Sequence, residues 1–257
     1  MVFPDVGVII WGLLVGVLVG LTGIGLGPIG TPGLLLFFPI IGETAAIAGN
    51  IVAGALSKIV GGAVYQRHGL VVKSVAVAYI VCGFPTLILG SYMLPVFAAS
   101  PVFKPAIGAV LLLASIALAI RYFIFRPPRR ALEVTRAKVV GAGMIGLVTG
   151  FIVGVSSIGT GSLTIAGFLL LLRLPSDYVV GTTLVTAPAF LAISAGSHIL
   201  FGNVEWGLTA NLVAGLAGGV FVGSYLEPKV PLQAFRLGIT ALLFLAAAAL
   251  LASAIPR

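Results

Sequence analysis

Acidic side chains are almost missing from this chain. Six aspartates and glutamates stand among 257 residues, and charged residues of both signs make up only 8%, against roughly 25% in a soluble domain. Glu43, Asp177, Glu205 and Glu227 fall at the ends of apolar runs, whereas a proton pump or cation channel generally needs carboxylates along its pathway. Cys82 is the one cysteine, which excludes an intrachain disulfide and a cysteine metal cluster; beside Gly83 it reads as a small packing residue. His68 and His198 are the only histidines. Far apart in sequence and without cysteine partners, both read as polar groups at the membrane interface rather than as metal ligands. No nucleophile–base pair is visible, so an enzyme is not expected, nor is any cofactor. The Gly23-Ile24-Gly25-Leu26-Gly27 stretch has the spacing of a phosphate loop, but the strand and soluble βαβ unit such a loop needs are missing.

What is abundant is apolar surface. Hydrophobic residues make up 60% of the chain, and mean hydropathy is +1.25. Runs such as Ser74–Val96, Pro105–Arg121 and Leu232–Ile255 approach or exceed the roughly 20 helical residues that cross a hydrocarbon core of about 30 Å. They do not alternate polar and apolar positions as barrel strands would, and the first run lacks the basic start of a cleaved secretion signal. The class is an all-α polytopic membrane protein. The net charge of +8 is concentrated between two halves of the chain, where Arg121, Arg126, Arg129, Arg130, Arg136 and Lys138 are opposed only by Glu133. In a membrane chain this is a cytoplasmic topology signal with attraction to anionic lipid headgroups, not a nucleic-acid surface. The expected surroundings are the lipid bilayer and a small anionic substrate, and a homodimer is compatible with the sequence.

The halves repeat each other. Gly90-Ser91-Tyr92-Met93 answers to Gly223-Ser224-Tyr225-Leu226, Gly27 to Gly159, Gly49-Asn50 to Gly181-Thr182, and Gly108 to Gly238, at an offset of about 130 residues. The expected organisation is a first transmembrane repeat over 1–125, a basic cytoplasmic linker over 126–138, and a second repeat over 139–257. Each repeat has four segments. Three are ordinary spans: Thr44–Gln66, Lys73–Leu94 and Phe103–Phe123, then Asp177–Leu200, Glu205–Leu226 and Leu232–Ile255. The opening segments, Val6–Ile41 and Val139–Leu172, are too long for one crossing and are broken over Gly23–Gly33 and Gly154–Ser162, where glycine and proline will not hold a continuous helix. If each broken segment crosses, the repeats are parallel; if it re-enters, they are inverted. With the linker inside, the re-entrant arrangement puts Arg173, Lys229 and Arg236 inside as well, in keeping with the positive-inside rule. It is the favoured arrangement, with an inverted pseudo-twofold between repeats.

Irregular backbone at membrane depth must be buried in protein or line a wet cavity, so two breaks at aligned positions point to a binding site. Half-helix N-termini would present free N–H groups there. The candidate site residues are Gly25, Gly27, Gly30 and Thr31 at the first break, and Ser156, Ser157, Gly159, Thr160, Gly161 and Ser162 at the second. The following spans add Asn50, Ser57 and Lys58 in one repeat and Thr182 and Thr183 in the other. Close helix packing is the alternative role for each glycine taken alone. Lys58 has two readings: counter-charge for an anion, or a cation snorkelling to the membrane edge near Arg67.

In the order and double occurrence of these pieces, the chain resembles the TauE/SafE family of sulfite exporters and organosulfonate permeases over nearly its whole length. The matching residues are the glycine-rich Gly20–Gly33 segment, its repeat after Gly146, Gly181-Thr182-Thr183-Leu184, the Gly202-Asn203-Val204-Glu205-Trp206 turn and the Gly215–Gly223 span. It departs from the family pattern at Leu26, Pro28 and Ile29, at Thr160 and Ser162, and at Asn50, where a Thr-Ser pair is usual. The resemblance implies a secondary transporter for a small sulfur-containing anion, sulfite or an organosulfonate, in a bacterial- or archaeal-type inner membrane. Its site would lie at the midplane between the repeats, with alternating access. An anion channel, or a transporter of another small solute or metal ion, is the alternative.

Overall fold

A computed structural model describes residues 3–22, 26–65, 70–120, 133–226 and 232–253. Gly23, Gly25, Arg67, His68, Arg121, Arg126, Arg129, Arg130, Glu227 and Lys229 lie outside them, as do the side chains of Lys58, Asp177 and Arg236. The described residues form helices joined by short turns, without strands. In chain order the helices are α1 (Phe3–Thr22), α2 (Leu26–Phe37), α3 (Glu43–Tyr65), α4 (Lys73–Ala98) and α5 (Phe103–Ala119). After the linker come α6 (Arg136–Ser156), α7 (Ser162–Ala166) with its π-helical continuation Gly167–Leu171, α8 (Ser176–Leu200), α9 (Trp206–Leu226) and α10 (Leu232–Ala252). Four of these, α4, α6, α8 and α9, are long and apolar enough to span a bilayer.

Both breaks are shorter than the glycine and proline content implies. Helix α2 already runs through Gly27-Pro28-Ile29-Gly30-Thr31-Pro32-Gly33. Pro28 sits in the first turn, where no intrahelical donor is needed, and the helix is held by burial of its Leu26–Leu35 stretch. In the second half of the chain α6 continues to Ser156, so the break shrinks to Ser157–Gly161. Ser157 takes the left-handed conformation at φ 64° and Gly159 lies at φ 126°, a value that disfavours any residue with a Cβ.

Glycine seams set the helix arrangement. On α6, a Cβ at Gly146, Gly150 or Gly154 would strike the carbonyl of Tyr79, Gly83 or Leu87 of α4 in turn. The contacts climb in steps of four on both helices, so α4 and α6 run parallel. On α1, Gly12, Gly16 and Gly20 meet the carbonyls of Leu212, Leu216 and Val220 of α9, while Gly215, Gly219 and Gly223 return the contact to Ile9, Leu13 and Val17. This pair is parallel too. In lipid, where apolar surface gains little from association, such small-residue seams let backbones approach closely enough for dispersion to hold them.

Each opening helix thus packs on a helix from the other half of the chain, α1 on α9 and α6 on α4. Helices α4 and α8 are also parallel: the Val72 amide donates to Thr182 Oγ1 at 3.1 Å, Tyr79 stacks on Phe190 at 4.4 Å, and Tyr92 meets Phe201 edge-on. The two short helices instead fold back on their predecessors. Gly7 faces Phe38 and Gly33 faces Trp11, while Gly141 faces Leu172 and Gly167 faces Ile145. One apolar core gathers α1, α2, α3, α5, α9 and α10 around the first hairpin, joined by Leu94 of α4, Leu191 and Ala195 of α8 and Ile158 of the second break. A second gathers α4, α6, the α7 segment and α8 around the other.

The seams give a paired prediction. Gly219→Ala drives a methyl into the Leu13 carbonyl and should lower stability by about 1–3 kcal/mol. Gly196→Ala, with nothing within 4 Å of the new methyl, should leave it unchanged or raise it by up to about 1 kcal/mol. Thermal unfolding of the two variants in detergent checks both; equal losses would contradict the seam.

Candidate functional site

The two broken segments meet directly. Asn50, on α3 and with no solvent exposure, donates from Nδ2 to Thr31 Oγ1 of the first hairpin at 2.9 Å and to Ser157 Oγ of the second at 3.2 Å. Gly27 lies against the Ser157 carbonyl, and Gly30 lies against Asn50 Oδ1. These two glycines are therefore filled contacts: a Cβ at either position would push the hairpins apart. Thr31, Asn50 and Ser157 are all buried. Both amide protons of Asn50 are spent on hydroxyls that act as acceptors, so Thr31 and Ser157 keep their own protons to donate.

The second break supplies most of the remaining polar groups. Ser156 Oγ donates back to the Ile152 carbonyl at 2.6 Å and accepts from the Ile158 amide at 3.1 Å, sealing the end of α6. Thr160 is buried in the turn. Gly161 has open space on its Cβ side, and next to it the buried Ser162 hydroxyl has no partner. Room beside an uncommitted donor is what the otherwise filled crossing lacks. A largely apolar crevice of about 320 Å³, lined by Phe97, Phe103, Ile107, Phe151, Val155 and Ser156 among others, ends at the same turn.

The other sequence-derived candidates lie away from this crossing or outside the described residues. Thr182 caps the start of α4 through the Val72 amide. Thr183 bonds back to the Val179 carbonyl and Ser57 to that of Gly54, a common fate of hydroxyls within helices. Asn50 and Thr182, although matched in sequence, thus serve different contacts. Gly25 is not described, and Lys58 is placed only as a backbone position within α3.

Two buried networks escaped the reading of the sequence. Tyr79 Oη lies 2.6 Å from Thr164 Oγ1 and 2.9 Å from Thr149 Oγ1, and Thr164 also bonds the Gly159 carbonyl at 3.0 Å. A tyrosine of α4 therefore fixes the return limb of the second hairpin. Phe168 and Phe190 pack its ring edge-on and face-on. The available signal was a tyrosine deep inside an apolar run, level with the lone threonine of the neighbouring span.

The second network corrects the interfacial reading of His198, which has no solvent exposure. Its Nε2 lies 3.0 Å from the Gly154 carbonyl. A carbonyl only accepts, so Nε2 carries the proton and Nδ1 accepts from Asn203 Nδ2 at 3.1 Å. Asn203 also donates to the Ser91 carbonyl. The histidine thereby satisfies a carbonyl in the last turn of α6 that the break would leave orphaned. Among the described residues no cluster of three or more potential metal ligands occurs.

Comparison with known proteins agrees with this architecture of apolar helices. The family description "Sulfite exporter TauE/SafE" matches residues 8–250. A "Probable membrane transporter protein YjnA" of Bacillus subtilis (strain 168) is 35% identical over 243 residues, covering 89% of this chain and 94% of that protein. No solved structure matches. With the family match running through nearly every helix, the chain is a multi-pass cell-membrane protein and belongs to the sulfite exporter TauE/SafE family.

Proposed function

We propose that the protein is a secondary transporter for a small sulfur-containing anion, sulfite or an organosulfonate, which binds where the two broken segments cross. The observation that carries this reading is the Asn50 bridge between Thr31 and Ser157. It joins segments distant in sequence and leaves hydroxyl protons pointing away from their amide donor. Ser162 adds a buried hydroxyl without a partner. Donors gathered in a low-dielectric interior suit an oxyanion. The sulfur chemistry rests on the family, and the transporter class on the family and on the name of the Bacillus relative.

The arrangement we favour is an inverted pair of repeats with re-entrant hairpins. The parallel run of α4 with α8 supports it, since a segment that crossed would leave α8 antiparallel to α4. Turned this way, Lys73, the linker cations and Arg173 share one face, while the Lys104–Glu43 ion pair of 3.1 Å lies at the other. Alternating access would then move the two hydrophobic cores against each other. Those cores mix helices of both repeats, so the moving bodies are packed groups rather than sequence halves.

In proteoliposomes, uptake of labelled sulfite should saturate, and Asn50→Leu should lower the rate roughly tenfold or more, as expected for loss of hydrogen bonding to a charged group. Flux that rises linearly with concentration would identify a channel instead. For topology, single cysteines replacing Lys73, Lys104 and Arg173 in a Cys82→Ala background should label from two sides, with position 173 following 73. Co-labelling of 173 with 104 would overturn the re-entrant arrangement.

A further inference from the structure

The Asn50 side chain has one atom unaccounted for. Both its N–H donors are used, yet Oδ1 is buried and accepts from no group. In the closed crossing it faces the Cα side of Gly30, where even a methyl would not fit, so a ligand reaches it only once this contact loosens. Turning the amide over would not help: Oδ1 would then take both hydroxyls, and two N–H donors would be stranded against Gly30 instead of one acceptor. The orientation with fewer unmet groups leaves an acceptor among donors.

We propose that the crossing point selects anions that also carry a hydrogen-bond donor, an O–H or N–H directed at Asn50 Oδ1. The inference rests on the small-anion reading above and narrows it. An oxyanion with acceptors alone satisfies the Thr31 and Ser157 hydroxyls but sets lone pairs against Oδ1. An anion bearing its own donor pairs every group at once. Buried polar sites discriminate in this manner because an analogue lacking the matching group leaves the protein atom unpaired. The device belongs to one repeat only, since Thr182, the residue aligned with Asn50, is committed to the Val72 amide.

The test compares ligands that differ in one group. Full-length protein in lipid nanodiscs is titrated calorimetrically with ethanesulfonate, 2-hydroxyethanesulfonate and 2-aminoethanesulfonate, with sulfite as reference. At least one donor-bearing sulfonate should bind roughly tenfold more tightly than ethanesulfonate, and which one identifies the donor as O–H or N–H. In Asn50→Ser, which removes the obligate acceptor, the gap should shrink to about twofold. Equal affinities of the three sulfonates for the wild type would overturn the proposal while leaving the anion reading intact. So would a gap that persists in Asn50→Ser protein retaining its elution profile and melting temperature. Failure of sulfite and of every sulfonate to bind would remove the anion reading itself, and the proposal with it. The wild-type comparison decides the matter even if the variant does not fold.

Discussion

A backbone that turns inside an apolar bundle must find partners for its own N–H and C=O groups, because neither water nor lipid will supply them. The turn at Ser157–Gly161 imposes that constraint here, and much of the surrounding polar chemistry answers it. Ser156 Oγ takes the Ile158 amide. His198 takes the Gly154 carbonyl. Thr164 returns both its amide and its hydroxyl to the Gly159 carbonyl, and Tyr79 holds Thr164 in place. Each partner comes from a different direction: α6 itself, α8, the return limb and α4. The turn is therefore positioned by most of the second core at once.

That dependence explains why the glycine seams lie where they do. For His198 and Tyr79 to reach a buried turn, α6 must press against α4 with backbones in contact, and Gly146, Gly150 and Gly154 remove the side chains that would prevent it. The α1–α9 seam repeats the device for the other hairpin, and Trp11 adds an Nε1 donor 3.4 Å from the Gly30 carbonyl. A seam on one side and a fold-back on the other fix each hairpin at two faces. The third face is left for the crossing.

The sequence made the gross plan legible because its signals are periodic and strong: long apolar runs, aligned glycine clusters and one concentrated basic stretch. Ordinary spans were recovered to within a few residues, α4 ending at Ala98 rather than Leu94 and α9 beginning at Trp206 rather than Glu205. The breaks were overdrawn, since composition records glycine and proline without recording what packs on them. Gly27 and Gly30 sit in a helix because Ser157 and Asn50 fill the space a Cβ would occupy. Site residues were harder. Asn50 stood out as an amide amid apolar neighbours, but Thr182 and Thr183 looked equivalent to it; Thr182 instead caps the start of α4 and Thr183 bonds back along its own helix. Tyr79 and His198 gave no periodic pattern, because isolated tertiary hydrogen bonds, to threonine hydroxyls in one case and to a backbone carbonyl in the other, leave no periodicity in sequence.

The strengths of the contacts differ in a way that bears on movement. Along the seams, carbonyls and Cα atoms touch turn after turn, and separating α4 from α6 would forfeit a continuous dispersion contact together with the Tyr79 network. At the crossing, the described polar contacts between hairpins run through a single side chain. Two hydrogen bonds from Asn50 are worth about 1 kcal/mol each in net terms, and one atom of that side chain is unpaired as it stands. A bundle that must open somewhere opens at its least costly contact. On the transport reading, that contact is the place where an arriving ligand could replace the bonds it breaks. A residue that joins the hairpins weakly, and is itself incompletely satisfied, suits a site that has to part and re-form far better than a fully paired one would.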